Sequence, residues 1–244
     1  MLPAAVRVTF VVPAYQAAQS VAKVVTELRE VAAKLAETTT PSVLVVDDGS
    51  SDDTGKRAAE AGALVVRHPQ NQGKGRALVS GFERALALGA EAVVSVDADG
   101  QHPASEALLV AEHGAPREAL VLGVRDLRRD GAPRANRFSN GFSNLWMSFF
   151  ARRPLGDTQC GLRRYPLPEA LELGLVGSGY ELEAEVILKA VRARWPLAEV
   201  PVRVLYPTGA ERVSHFRSVR DPARIVFSIL STVASSPFQP KRPA

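Results

Sequence analysis

Cysteine is nearly missing from this chain: Cys160 is the single one in 244 residues. With one thiol no intramolecular disulfide can close, and neither a disulfide framework nor a cysteine-built zinc site is available. This usage fits a reducing, cytoplasmic setting. Cys160 itself reads as a small packed residue rather than a nucleophile, because no dedicated base is identifiable beside it. Long apolar runs are missing as well. The most apolar later stretches, 142–151 and 225–234, fall far short of the roughly 20 residues that span a bilayer. Residues 1–5 show neither the basic region nor the apolar stretch of a signal peptide. The expectation is a protein of the cytoplasm, soluble or peripheral on the inner face of the membrane. Charge of one sign is in small excess, a formal +4. The basic residues have no interleaved aromatic platform, so nucleic acid is not expected as a partner. His102, His113 and His215 lack the spacing of metal ligands.

What is present is an ordinary globular composition, 46% hydrophobic and 23% charged, with ample core for one large or two small domains. Residues 6–12, 42–46, 63–67, 92–96 and 119–122 are short, Val-rich apolar runs and predict buried strands. Segments 18–36, 52–61, 74–88 and 104–112 predict helices between them. That alternation predicts an α/β fold, a mostly parallel sheet sandwiched by helices, with ligands at the carboxyl ends of the strands. After residue 123 come a long Arg- and Asn-rich segment, a helix over about 179–194 and a strand near 198–205. Ile225, Val226, Ile229, Leu230 and Val233 then recur at helical spacing and predict a C-terminal amphipathic helix. The organisation is thus one domain over 1–205, divided into a nucleotide-binding half (1–122) and an acceptor half (123–205), followed by a basic loop and the amphipathic helix over 206–244.

The unusual residues fall at the predicted strand ends. Pro13-Ala14-Tyr15 follows the first strand, Asp47-Asp48-Gly49-Ser50-Ser51 the second, and Asp97-Ala98-Asp99-Gly100-Gln101-His102-Pro103 the fourth. Two carboxylates one residue apart after a buried strand suit a hard divalent cation that completes its shell with substrate phosphates. The plainer reading of such residues is turn and helix-cap formation, but the Asp47-Asp48 pair exceeds what capping requires. Asn71-Gln72-Gly73-Lys74-Gly75 admits a loop-to-helix turn or a backbone approach to a nucleotide, and lacks the full P-loop spacing. Nine arginines against three aspartates lie between positions 125 and 164. Singly, each reads as part of a solvated face; clustered, they suit an anionic partner, because the guanidinium fork matches phosphate.

These segments, with Asp157-Thr158-Gln159-Cys160-Gly161, are ordered and spaced as in the family 2 glycosyltransferases of GT-A fold, and the chain resembles their dolichyl-phosphate mannose synthase-like, polyprenyl-phosphate glycosyltransferase branch. The resemblance covers residues 6 to about 205. It implies a GT-A, Rossmann-like architecture and a nucleotide-sugar donor, GDP- or UDP-linked. Pro13, Ala14, Tyr15, one of Asp47 or Asp48, Lys74 and Asp97-Ala98-Asp99 would hold that donor. Asp97 and Asp99 would bear Mg²⁺ or Mn²⁺, with Gln101 in support. Arg125, Arg137 and a late loop containing Arg212, Ser214, His215 and Arg217 would meet phosphates of donor or acceptor. Ala17 stands where the family often has Glu.

The implied reaction is an inverting displacement at the anomeric carbon, with a lipid acceptor, polyprenyl (dolichyl-like) phosphate, as nucleophile. An anionic phosphate needs no general base; a hydroxyl acceptor would, and Asp157 is then the candidate. Glu181, Glu183 and Glu185 are poorer ones, and the plain alternative for Asp157 is a loop acceptor that orders Arg163. A catalytically inactive nucleotide-sugar or anionic-lipid binding protein is the non-enzymatic alternative.

Overall fold

The computed structural model describes residues 6–35 and 38–206. Strand β1 (Val8–Ala14) is buried at every position and lies between β2 (Thr38–Asp47) and β4 (Ala92–Ser95), with β3 (Leu64–Arg67) beyond β2. All these pairs are parallel. A continuous apolar run such as Phe10, Val11 and Val12 is what a strand covered on both faces requires. Alternation along β1 sends Phe10 and Val12 into one core and Val11 into the other.

The first core is closed by α1 (Val21–Ala32) and α4 (Ala104–Ala111), through Val24, Leu28 and Val110. The buried positions of α1, Val21, Val24, Val25, Leu28, Val31 and Ala32, trace one helical face. The second core is closed by α3 (Lys74–Ala87) and α7 (Glu181–Arg192), through Leu78, Phe82 and Ile187. Each such fully buried side chain contributes about 1.5–3 kcal/mol. The short α2 (Thr54–Glu60) connects β2 to β3.

The second half completes the sheet with β5 (Leu120–Arg125), β6 (Arg163–Pro166) and β7 (Leu197–Val202), in the overall order β3-β2-β1-β4-β6-β5-β7. Strand β6 runs antiparallel between β4 and β5, pairing Ser95 with Arg163. It therefore begins at the edge where β4 ends, which carries residues 157–161 to the side of Asp97. The α/β class and mostly parallel sheet match the sequence expectation.

Two elements go beyond that expectation. The Arg- and Asn-rich segment contains an 18-residue helix, α5 (Arg134–Ala151). Its Asn and Ser side chains are weak helix formers, but here they bind one another and the segment after the helix: Asn144 Nδ2 donates to Asn140 Oδ1 at 2.7 Å and to Gly156 O at 2.7 Å. Strand β6 contains two arginines expected at the surface, yet Arg163 and Arg164 are buried. Arg163 donates to the carbonyls of Cys160, Thr158 and Glu183, and Arg164 to those of Ala111, His113, Ala115 and Pro116. Carbonyl partners offset most of the cost of burying a guanidinium. A last short helix, α6 (Glu169–Glu172), follows β6. The C-terminal amphipathic helix expected after residue 206 lies outside the described residues.

Candidate active site

The loops after β1 and β2 are stitched together. Gln16 N–H donates to Ser50 Oγ at 3.0 Å, Ala17 N–H to Thr54 Oγ1 at 2.8 Å, and Ala18 N–H to Asp52 Oδ2 at 3.1 Å. Pro13 and Ala14 are buried and Tyr15 is half-buried. Asp47 and Asp48 are both internal. Asp47 Oδ1 accepts from Ser50 N–H at 2.9 Å, and its other oxygen lies 3.6 Å from Arg67 Nε. Asp48 accepts from Gln72 and Gly73 N–H, at 2.9 and 2.8 Å, and bonds His68 Nδ1 at 2.7 Å. Asp48 thus fixes the loop that opens α3, and Asp47 the turn after β2. At Gly73, φ is +98° and a Cβ would sit 2.3 Å from Ser178 O, so only glycine fits.

That loop delivers Lys74, whose Nζ lies 2.6 Å from Asp97 Oδ1 and 3.1 Å from Glu183 Oε1. Burial disfavours the Lys74 ammonium, but the charges of Asp97 and Glu183 outweigh it and hold the group protonated. Burial likewise opposes the Asp97 carboxylate, and Lys74 reverses this, keeping it below its ordinary range. Asp99 is exposed and accepts from Gln101 N–H at 2.9 Å. Crowding by surrounding protein, and then the Asp97 charge, push its carboxyl up. Ala98 is buried, its carbonyl held by Ser20 Oγ at 2.6 Å.

This carboxylate pair has the chemistry for a divalent cation. The Asp97 charge makes ionisation of Asp99 more costly, and a cation between the two would relieve it. Beside them Gly161 leaves space: a Cβ there would meet Asp97 Oδ2 at 2.6 Å and Lys74 Nζ at 2.9 Å. Among the described residues no group of three or more His, Cys, Asp or Glu forms a metal cluster. Two hard oxygen donors with the remaining positions left to phosphate and water suit Mg²⁺ or Mn²⁺. Gln101 contributes its backbone, since its carbonyl accepts from Leu205 N–H at 2.8 Å. Leu205 is thereby held beside this loop. Arg212, Ser214, His215 and Arg217 lie outside the described residues.

A second cluster adjoins the first. Arg125, the last residue of β5, pairs with Asp157 through Nε at 2.6 Å and Nη2 at 3.1 Å. Asp157 also accepts from Asn140 Nδ2 at 2.6 Å and from Gln159 N–H at 3.1 Å, and is 1% exposed. Burial opposes its charge, yet the Arg125 contact holds its carboxyl below the ordinary range. The residue that Asp157 orders is Arg125, not Arg163, whose donors are spent on carbonyls. Arg125 also lowers the Asp97 carboxyl, so both clusters share one electrostatic field. Arg137 is half-buried on α5.

His102 links the same region inward: Nδ1 lies 3.2 Å from Arg203 O and Nε2 3.8 Å from Cys160 Sγ. Burial lowers the imidazole below its ordinary value and pushes the Cys160 thiol up to about 12. Sequence reading passed over Asn140, the Asp157 partner, and Gly161 as the space beside Asp97. Their signals were present only as the Asn spacing of α5 and the glycine after Cys160. Glu183, ranked low as a base, is a Lys74 partner. Glu181 and Glu185 instead accept from backbone N–H groups of residues 176–179.

A family model described as Glycosyl transferase family 2 matches residues 9–163. The chain is 29% identical over 208 residues to undecaprenyl-phosphate mannosyltransferase of Micrococcus luteus, covering 80% of this chain and 82% of that protein. It is 26% identical over 220 residues to UDP-N-acetylglucosamine–dolichyl-phosphate N-acetylglucosaminyltransferase of Methanococcus voltae, covering 80% of this chain and 84% of the relative. Among solved structures, glucosyl-3-phosphoglycerate synthase of Mycobacterium tuberculosis in complex with phosphoglyceric acid superimposes with a TM-score of 0.69 at 20% identity, covering 94% of this chain and 80% of that one. A structure of that enzyme with Mn²⁺, UDP and phosphoglyceric acid gives 0.68 at 20% identity, covering 94% and 78%. The likeness to these structures is one of fold.

Proposed function

The chain belongs to glycosyl transferase family 2, and from that premise we propose that it moves a sugar from a nucleoside-diphosphate sugar to a polyprenyl-type lipid monophosphate with inversion at the anomeric carbon. The observation that carries the choice of acceptor is the state of Asp157. A hydroxyl acceptor needs a base, and the side chain best placed by sequence for that task is buried, acidic and occupied on both oxygens. A phosphate monoester is already anionic near neutral pH and attacks without one. Asp157 then acts as the positioning residue for Arg125, whose guanidinium receives the acceptor phosphate. The printed activities of the Micrococcus luteus and Methanococcus voltae relatives favour the same class of acceptor.

In this reading an acceptor phosphate oxygen forms the new bond to the anomeric carbon as the bond to the donor diphosphate breaks, releasing the nucleoside diphosphate. Asp97 and Asp99 would hold a divalent cation, with Gln101 shaping their loop, and a bound cation would supply positive charge for the departing diphosphate. Lys74, anchored by Glu183, fixes Asp97 and adds positive potential at the same place. The donor base lies along Pro13, Ala14 and Tyr15. Asp47 and Asp48 serve that pocket by fixing its loops rather than by direct contact. Arg137 and the late residues Arg212, Ser214, His215 and Arg217 supply further phosphate contacts. With these roles the protein works at the inner face of a membrane.

The test is a screen of UDP- and GDP-sugars with Mn²⁺ or Mg²⁺, comparing a polyprenyl phosphate with the matching polyprenol. Release of nucleoside diphosphate is expected only with the phosphate. Preferred transfer to the polyprenol, or to a soluble hydroxyl acceptor such as phosphoglyceric acid, overturns the reading. The anomeric proton coupling constant of the product reports inversion.

A further inference from the structure

Helix α5 carries five of the large exposed apolar side chains of the described chain: Phe138, Phe142, Leu145, Trp146 and Phe149. Their steps of four, three, one and three residues place them on one stripe. Phe138 is 79% and Phe149 71% exposed, and the rings follow one another along the stripe, Phe142 to Trp146 at 6.1 Å and Trp146 to Phe150 at 6.0 Å. The opposite side of α5 is already spent, with Met147 and Ala151 in the core and Asn140 on Asp157. Both sides of this helix thus have an apolar or polar task, and the outward one has no partner among the described residues.

Charge says what kind of partner fits. There is no acidic residue in α5, and Arg134, Arg137, Arg152 and Arg153 bracket it. None of the four pairs with an acid among the described residues. Arg134 and Arg137 stand in the first turn, where the helix dipole disfavours cations. Helix stability therefore does not account for them, whereas an anionic surface does. An aromatic stripe rimmed by arginines is the pattern of a helix lying in the plane of a bilayer interface.

We propose that α5 docks this protein on an anionic lipid bilayer, its aromatic stripe immersed at headgroup depth and its arginines on lipid phosphates. The other side of the same helix holds Asp157 through Asn140 and Thr158 through Ser143. Seating α5 therefore leaves Asp157 one helix diameter, roughly 10 Å, from the headgroups, with its partner Arg125 directly behind it. The purpose of that placement rests on the lipid-phosphate reading above; the docking itself does not. No helix among the described residues is long and apolar enough to cross a membrane, so an in-plane helix is the means of attachment this part of the chain offers.

The full chain carries two tryptophans, and Trp195→Phe leaves Trp146 as the sole reporter. Titration with vesicles of equimolar phosphatidylglycerol and phosphatidylcholine is expected to shift Trp146 emission to the blue and to protect it from aqueous quencher. Pure phosphatidylcholine vesicles should do so weakly, and about 0.5 M salt should weaken the anionic response. Phe138→Ser with Phe149→Ser should lower vesicle affinity about tenfold or more. Leu109→Ser, an exposed apolar on α4, should leave it unchanged. An unshifted Trp146, or undiminished binding by the double variant, overturns the proposal. So does a Trp146 already shielded without vesicles, or a dimer dispersed by the double variant, because the stripe would then be covered by the chain itself or a second copy. Sugar transfer to detergent-dispersed polyprenyl phosphate, measured in parallel, separates the two claims: transfer without docking sinks only the helix, and docking without transfer sinks only the acceptor.

Discussion

Lys74 Nζ and Asp97 Oδ1 lie 2.6 Å apart, although one opens α3 and the other follows β4. Glu183 of α7 lies 3.1 Å from the same ammonium. This contact joins the nucleotide-side loops to the carboxylate pair. Removing the ammonium leaves two carboxylates without their cation; with the Asp97 side chain 30% exposed, the cost falls below the about 3–5 kcal/mol of a fully buried pair. Lys74→Met is expected to lower the thermal midpoint and to cut nucleoside diphosphate release at least tenfold, by about 1.4 kcal/mol or more. Adding Glu183→Gln should restore part of the stability and little of the turnover. Unchanged melting in Lys74→Met would contradict the pairing.

Asp97→Asn and Asp99→Asn each remove a ligand charge while keeping shape. Both should bind Mn²⁺ more weakly and lose metal-dependent turnover, with chelation reproducing the loss reversibly. Because Asp99 is exposed, its variant should melt like the parent. Full activity of both variants at limiting metal would remove the carboxylate pair from the mechanism.

Gly161→Ala tests the space beside the pair, where the new Cβ would meet Asp97 Oδ2 at 2.6 Å. Displacing that oxygen should raise the metal concentration needed for half-maximal turnover while the protein still folds. Circular dichroism and a Mn²⁺ titration, read together, check it; a metal response like the parent's would show that Asp97 tolerates the shift.

Asp157→Asn separates positioning from base catalysis. As a positioning residue its loss should raise the KM for the lipid phosphate about tenfold and leave kcat and its pH profile in place. A base would instead take kcat with it. Stability gives the sign of a second readout. The folded-state carboxyl lies below its ordinary value of 3.8, so the folded protein binds fewer protons than the unfolded one near that range. The pair's contribution is full above the ordinary value and is lost as pH falls through the folded one. Urea midpoints should therefore fall less steeply with acid in Asp157→Asn than in the parent.

The parallel half was legible because Val-rich strands such as 92–96 and amphipathic segments such as 18–36 carry period and composition in themselves. Helix α5 and strand β6 were not. The Asn and Ser of α5 gain their partners from residues 155–158; Arg164 is tolerated inside by carbonyls distant in sequence, and Arg163 by Glu183 O together with the nearby carbonyls of Thr158 and Cys160. The roles of Lys74, Asp97 and Asp99 were implied by motif order, whereas the pairing of Arg125 with Asp157 spans 32 residues and has no local signature.

The sequence by itself determined the α/β layering, the strand ends at which chemistry-bearing residues collect, and the carboxylate pair at 97 and 99, since these follow from periodicity and residue type at short range. Tertiary structure decided which charges meet. The antiparallel return of β6 beside β4 brings Gly161 to Asp97, the α3–α7 contact sets Glu183 against Lys74, and α5 ties up Asp157. Such partnerships depend on where distant segments cross in space, and a carboxylate acquires its role from the cation that it finds there.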